Sequence, residues 1–142
     1  MTYLLDTNVV SELRKGPRCH TRVATWFEGV DDHDLGLSVL VIGELRRGAE
    51  SLRRRDPRGA SALERWLSRM LRDFAERILP IDARVAEEWG RLSALRPGSV
   101  VDVLLAATAR VHGLALVTRN VRDIEWTGVP WLNPFEPPLP AR

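Results

Sequence analysis

What most limits how this chain can fold is the alternation of very short apolar runs with longer stretches of helical period. Tyr3 to Leu5, Leu35-Gly36-Leu37, Ile78-Leu79-Pro80-Ile81 and Leu114 to Val117 are apolar at successive positions, so each reads as a strand buried on both faces. Between them the period changes. Val9, Val10 and Leu13 follow the first run, and Leu40, Val41 and Leu45 follow the second behind Ser38, a favourable N-cap. Ala60 to Phe74 is amphipathic through Leu63, Trp66, Leu67, Met70, Leu71 and Phe74. A helix through Val85, Trp89 and Leu92 is broken by Pro97-Gly98, and a nearly all-apolar helix from Val100 to Val111 ends at His112-Gly113. A fifth, weaker strand is expected around Val129 to Leu132. Strands separated by helices throughout predict a three-layer α/β/α fold around a central parallel sheet of about five strands.

The 142 residues suit one domain, expected over residues 1–135, with a Pro-rich tail at 136–142. A chain of this size buries roughly 68% of its unfolded surface, enough for a core without staples. Twenty of the 21 basic residues are Arg, and Lys15 is the one lysine. Lysine-dependent sites such as a P-loop or a buried Schiff base are therefore excluded. Cys19 alone permits no internal disulfide, and with His20, His33 and His112 scattered it builds no structural zinc site. The start MTYLLDTN reaches Asp6 too soon for a signal sequence, and no apolar run approaches roughly 18 residues. A soluble, cytoplasmic protein without a membrane segment is expected.

The chemistry is carried by acids. In an open α/β sheet ligands sit beyond the carboxyl ends of the strands, and Asp6 stands there after the first run. Glu44 lies two turns into the helix after the second, Asp102 near the start of the most apolar helix, and Asp123 just past the fourth strand. Each also has a purely structural role open to it. Asp6 suits a helix N-terminus, Asp102 a capping box with Ser99, Glu44 an ion pair with Arg47, and Asp123 a turn cap before Ile124. Those roles leave unexplained why all four fall on one edge. Two carboxylates about 5 Å apart repel by roughly 3 kcal/mol at an effective dielectric near 20, so such a cluster calls for protonation or a divalent cation. Oxygen donors without His or Cys favour Mg²⁺ or Mn²⁺.

In that order, Asp6-Thr7-Asn8-Val9-Val10-Ser11-Glu12-Leu13, Ser38-Val39 with Gly43-Glu44-Leu45-Arg46-Arg47-Gly48, Asp102 with Ala106-Ala107-Thr108-Ala109, and Val117-Thr118-Arg119-Asn120-Val121-Arg122-Asp123 resemble the four motifs of PIN-domain nucleases. The likeness is strongest to the VapC-type and FitB-like toxins of bacterial toxin–antitoxin pairs, and it runs from Tyr3 to Phe135. The resemblance implies a five-stranded parallel sheet and a Mg²⁺-dependent endoribonuclease, with Mn²⁺ as substitute. It also implies a homodimer and inhibition by a small antitoxin protein. By motif, Asp6, Glu44, Asp102 and Asp123 would be the catalytic, metal-binding quartet, supported by Thr118 and Asn120. The chain departs from the pattern at Ile124, where these toxins usually carry Phe, and at Arg96-Pro97-Gly98-Ser99 before Asp102.

Arginines accompany the acids. Arg46, Arg47, Arg119 and Arg122 are candidates for RNA phosphates, against the alternative of a solvated face in which Glu50 pairs with Arg54. Trp66 and Trp89 sit on apolar stripes, as core or dimer interface. A haloacid-dehalogenase-type phosphatase needs a second Asp where Asn8 stands, a Rossmann site lacks its glycines, and a Ser or Cys hydrolase lacks its elbow and a placed His. The rival of another class is a catalytically silent PIN-like module that binds RNA or a protein, its acids acting as caps.

Overall fold

The computed structural model describes residues 1–137, so the expected tail lies, beyond residue 137, outside the described residues. Five parallel strands, β1 (Tyr3–Leu5), β2 (Leu35–Ser38), β3 (Ile78–Leu79), β4 (Ala115–Val117) and β5 (Trp131–Leu132), form one sheet in the order β3-β2-β1-β4-β5. Tyr3 is in register with Leu35 on one side and Ala115 on the other. Seven helices complete the three-layer α/β/α arrangement: α1 (Thr7–Leu13), α2 (Thr21–Glu28), α3 (Val39–Arg53), α4 (Pro57–Asp73), α5 (Ala83–Leu95), α6 (Val100–His112) and α7 (Val121–Ile124). None is long and apolar enough to cross a membrane, among the described residues.

Local chemistry sets the boundaries. Ser38 Oγ accepts the Leu40 N–H at 3.1 Å to open α3, and Asp82 Oδ1 accepts that of Val85 at 3.0 Å to open α5. Asp56 caps α4 through the Gly59 N–H at 2.9 Å, with Pro57 supplying the preset first turn. Gly113 ends α6 with φ at +66°, a left-handed turn that a side chain would strain. Pro80, which has no N–H to give a neighbour, stops β3 after two residues where four were expected.

The core lies where the helices meet the sheet. Leu4, Leu5, Leu37 and Leu116 fill it from the strands, Val9, Val41, Leu67 and Val85 from helices, and Leu105 to Ala109 from α6. Ile124, the departure from Phe, is packed in that core at 2% exposure. Helix α2 is poorly signalled by periodicity, because only Val23 on it is buried and its cap is the Nδ1 of His20 accepting the Arg22 N–H, a residue outside the usual capping set.

Candidate active site

The sheet order reverses between β1 and β4. The chain lays β2 and β3 to one side of β1, then returns to place β4 on the other, which opens a crevice beyond the ends of these two strands. Asp6 and Thr118 are the first residues past those ends. The Asp6 N–H donates to the Val117 carbonyl at 2.9 Å, and Thr118 Oγ1 donates to Asp6 Oδ2 at 2.7 Å. Asp6 Oδ1 accepts the Thr7 N–H at 2.7 Å as the cap of α1. Capping and site-building are thus divided between the two oxygens of one carboxylate.

Two neighbours that motif reading passes over bind the crevice together. Thr7 Oγ1 donates to Glu44 Oε1 at 2.6 Å, which ties the second acid, on α3, to the residue after the first. Asn8 Nδ2 donates to Asp6 Oδ2 at 3.3 Å, while Asn8 Oδ1 accepts the Arg119 N–H at 3.2 Å. Both stand in the first of the four motif segments, where the sequence assigned them no role. Thr118 Oγ1 in turn accepts the Asn120 N–H at 3.0 Å, so Asn120 supports the site through its backbone; its side chain makes no capping bond.

Asp102 occupies the first turn of α6 and is half-buried; Asp123, on α7, is exposed, and its carbonyl accepts the Trp126 Nε1–H at 2.9 Å. Burial pushes the Asp6 carboxyl above its ordinary value, assisted by the Glu44 charge, while Thr118, Thr7 and Asn8 pull it back. Burial also pushes Asp102 up, followed by the charges of Asp6, Asp123 and Glu44, with Ser99 acting against them. Asp102 therefore lies within electrostatic reach of the other three acids. Among the described residues no three His, Cys, Asp or Glu side chains are grouped tightly enough to cage an ion. Like charges that close would repel, and Arg47 is the one cation that reaches any of the four, at Glu44, among the described residues. The donor chemistry, oxygen only and partly desolvated, fits a hard divalent cation.

The arginines divide. Arg46 donates to Glu64 on α4 at 2.6 Å, and Arg53 donates to the same carboxylate oxygen at 3.0 Å. Glu50 pairs with Arg53 at 3.0 Å, not with Arg54 as the helical spacing suggested, because Arg53 lies on the side of α3 that faces α4. Arg47 is exposed and reaches Glu44 Oε2 at 3.6 Å. Arg122 is exposed, and the guanidinium of Arg119 lies 4.6 Å over the ring of Phe135. Away from the acids, an apolar groove of about 400 Å³ is lined by Val10, Leu13, Phe27, Trp66, Met70 and Phe74.

A family model described as "PIN domain" matches residues 3–125. Toxin FitB of Neisseria gonorrhoeae (strain ATCC 700825 / FA 1090) is 32% identical over 137 residues, 93% of this chain and 97% of that protein. VapC ribonuclease Y4jK of Sinorhizobium fredii (strain NBRC 101917 / NGR234) is 32% identical over 142 residues, 94% of this chain and 98% of that protein. Among solved structures, that of FitAB bound to an IR36 DNA fragment superposes with a TM-score of 0.87 at 28% identity, covering 97% of this chain and 99% of the matched one.

Proposed function

The chain belongs to the PIN-domain family, and from that premise we propose that it is a Mg²⁺-dependent endoribonuclease, with Mn²⁺ as substitute, and the toxin half of a toxin–antitoxin pair. The observation that carries this reading is the buried Asp6 carboxylate, held by the Thr118 hydroxyl at 2.7 Å where the strand order reverses and coupled to Glu44. Asp6, Glu44, Asp102 and Asp123 would hold the ion. When bound it supplies a Lewis acid for the phosphodiester and an activated water for its hydrolysis.

The chain's own groups set the geometry. Thr118 and the Thr7 N–H fix both oxygens of Asp6, and the Thr7 hydroxyl orients Glu44. Arg47, Arg119 and Arg122 are the arginines assigned to RNA phosphates, Arg46 being committed to Glu64. An antitoxin partner would be met by the apolar groove beside Trp66 and Phe74. A homodimer is part of the same reading.

The open spacing of the acids favours a second reading, a PIN-like module that binds RNA or protein without cutting. Purified protein incubated with structured RNA separates the two. Cleavage with Mg²⁺ or Mn²⁺, abolished by EDTA and by Asp6→Asn, is expected of the nuclease. Cleavage unchanged by Asp6→Asn, or none with either ion, would leave the silent module.

A further inference from the structure

Two exposed arginines stand on aromatic rings beside the acids. Arg119 lies 4.6 Å over Phe135, and Arg96 lies 5.4 Å over Trp126. We infer that both are anchors for the phosphates of a bound RNA strand, with Phe135 and Trp126 as the residues that position them. The inference rests on RNA being the substrate and adds to that reading a residue, Arg96, that no motif contains.

Both seats connect to the acidic edge. Trp126 donates its Nε1–H to the Asp123 carbonyl at 2.9 Å, so the ring under Arg96 is fixed to the segment that carries the fourth acid. The loop bearing Arg96 runs through Pro97 and Gly98 to Ser99, three residues before Asp102. A Cβ at Gly98 would lie 3.6 Å from the Trp126 ring and 3.2 Å from Val103. The tight approach is to Val103 on α6, so glycine lets the loop run close to that helix while it passes in ordinary contact with the indole, a physical use for the unusual Arg-Pro-Gly-Ser approach. On the other side the Arg119 N–H is held by Asn8, itself bonded to Asp6. Phe135 is fixed beneath the side chain at 8% exposure, its N–H donating to Asn133 Oδ1 at 3.0 Å.

Neither guanidinium joins an ion pair among the described residues, in contrast to Arg46, Arg53 and Arg110. A planar guanidinium lying on a ring keeps its in-plane N–H groups free for a bidentate bond to phosphate, and the ring removes part of the ordering cost. An arginine held this way grips a flexible strand better than one on a free stem.

Binding of a fluorescently labelled oligouridylate to the full chain, in EDTA so that the strand stays intact, tests this. Arg96→Gln and Arg119→Gln are each expected to flatten the slope of log K against log salt by about 0.7, and the double variant by about 1.4. Phe135→Leu should weaken binding about two- to fivefold, with Phe135→Tyr restoring it, and Trp126→Phe, which keeps an aromatic seat, should retain the wild-type slope. An unchanged slope in the double arginine variant overturns the inference, as does absence of RNA binding by wild type. If cleavage is seen, a fall in kcat at constant KM for Arg96→Gln also overturns it, because the effect would then run through the acids. Slope losses in the arginine variants, of a protein whose wild type binds RNA but does not cleave it with Mg²⁺ or Mn²⁺, would support the anchors while refuting the nuclease.

Discussion

Replacing Thr118 by Val tests the central contact of the crevice with almost no change of shape. Thr118 is 1% exposed, and its hydroxyl makes a 2.7 Å bond to Asp6, itself only 6% exposed. Hydrogen bonds to charged groups contribute about 1.5–3 kcal/mol, against about 0.5–1.5 for neutral pairs. Valine removes the bond, leaving Asp6 Oδ2 with Asn8 at 3.3 Å, and also removes the acceptor of the Asn120 N–H at 3.0 Å, a loss common to both backgrounds compared below. For 142 residues the unfolding entropy is about 0.3 kcal/mol/K, so the loss corresponds to a Tm drop of about 5–10 °C. The assay is thermal unfolding by circular dichroism, without metal, of wild type, Thr118→Val, Asp6→Asn and the double variant. With Asn at position 6 the lost bond is a neutral one, and the cost of Thr118→Val should fall by about 1 kcal/mol. Because the hydroxyl is among the groups holding the Asp6 carboxyl down, its removal lets that carboxyl rise further. The penalty should therefore shrink at acid pH, as Asp6 takes up its proton in both proteins. Equal costs in the two backgrounds, within the roughly 0.3–0.5 kcal/mol expected of independent sites, would refute the reasoning.

Mn²⁺ at about one hundred times its dissociation constant should stabilise wild type by roughly 2.7 kcal/mol, about 9 °C, and do clearly less for Asp102→Asn; equal shifts in a melting titration would separate Asp102 from the ion. Asp82, which caps α5, is held below its ordinary value first by the Val85 N–H and also by Arg84 and His112. A depressed acid contributes stability present above its unfolded pKa of about 3.9 and lost as pH falls through its folded one. Asp82→Asn should accordingly keep the neutral-pH Tm, Asn being an equal cap, and soften its fall below about pH 4. A parallel acid limb in the variant would contradict this.

The alternation of two-sided apolar runs with helical stretches made the layers legible, and Ser38 and Gly113 marked ends that the structure keeps, whereas the Asp82 cap of α5 came only from the structure. The edge on which Asp6, Glu44 and Asp123 fall followed from their places after strands. Their mutual spacing did not, since it depends on the strand order and on how α3, α6 and α7 pack beside it. Glu64 as partner of both Arg46 and Arg53 was invisible for a similar reason: it is 18 residues from Arg46, and only the packing of α3 on α4 joins them. Phe135 read only as the last residue of the domain, with no role; it follows β5, where it meets Arg119 and, at 5.4 Å, the ring of His20. Aromatic seats of this kind have no spacing rule, because each joins segments remote in the chain.

The bond between Asp6 and Thr118 spans 112 residues, and this gives the molecule a clock. On a ribosome Asp6 is made first, and 112 further residues must be added before Thr118 exists beside it. At about 5–20 residues per second that interval is roughly 6–22 s. Throughout it the crevice has one wall, and a product that stops short of Thr118 never acquires the second. The proposed activity is thus withheld from the nascent chain by topology until β4 has been made and placed beside β1.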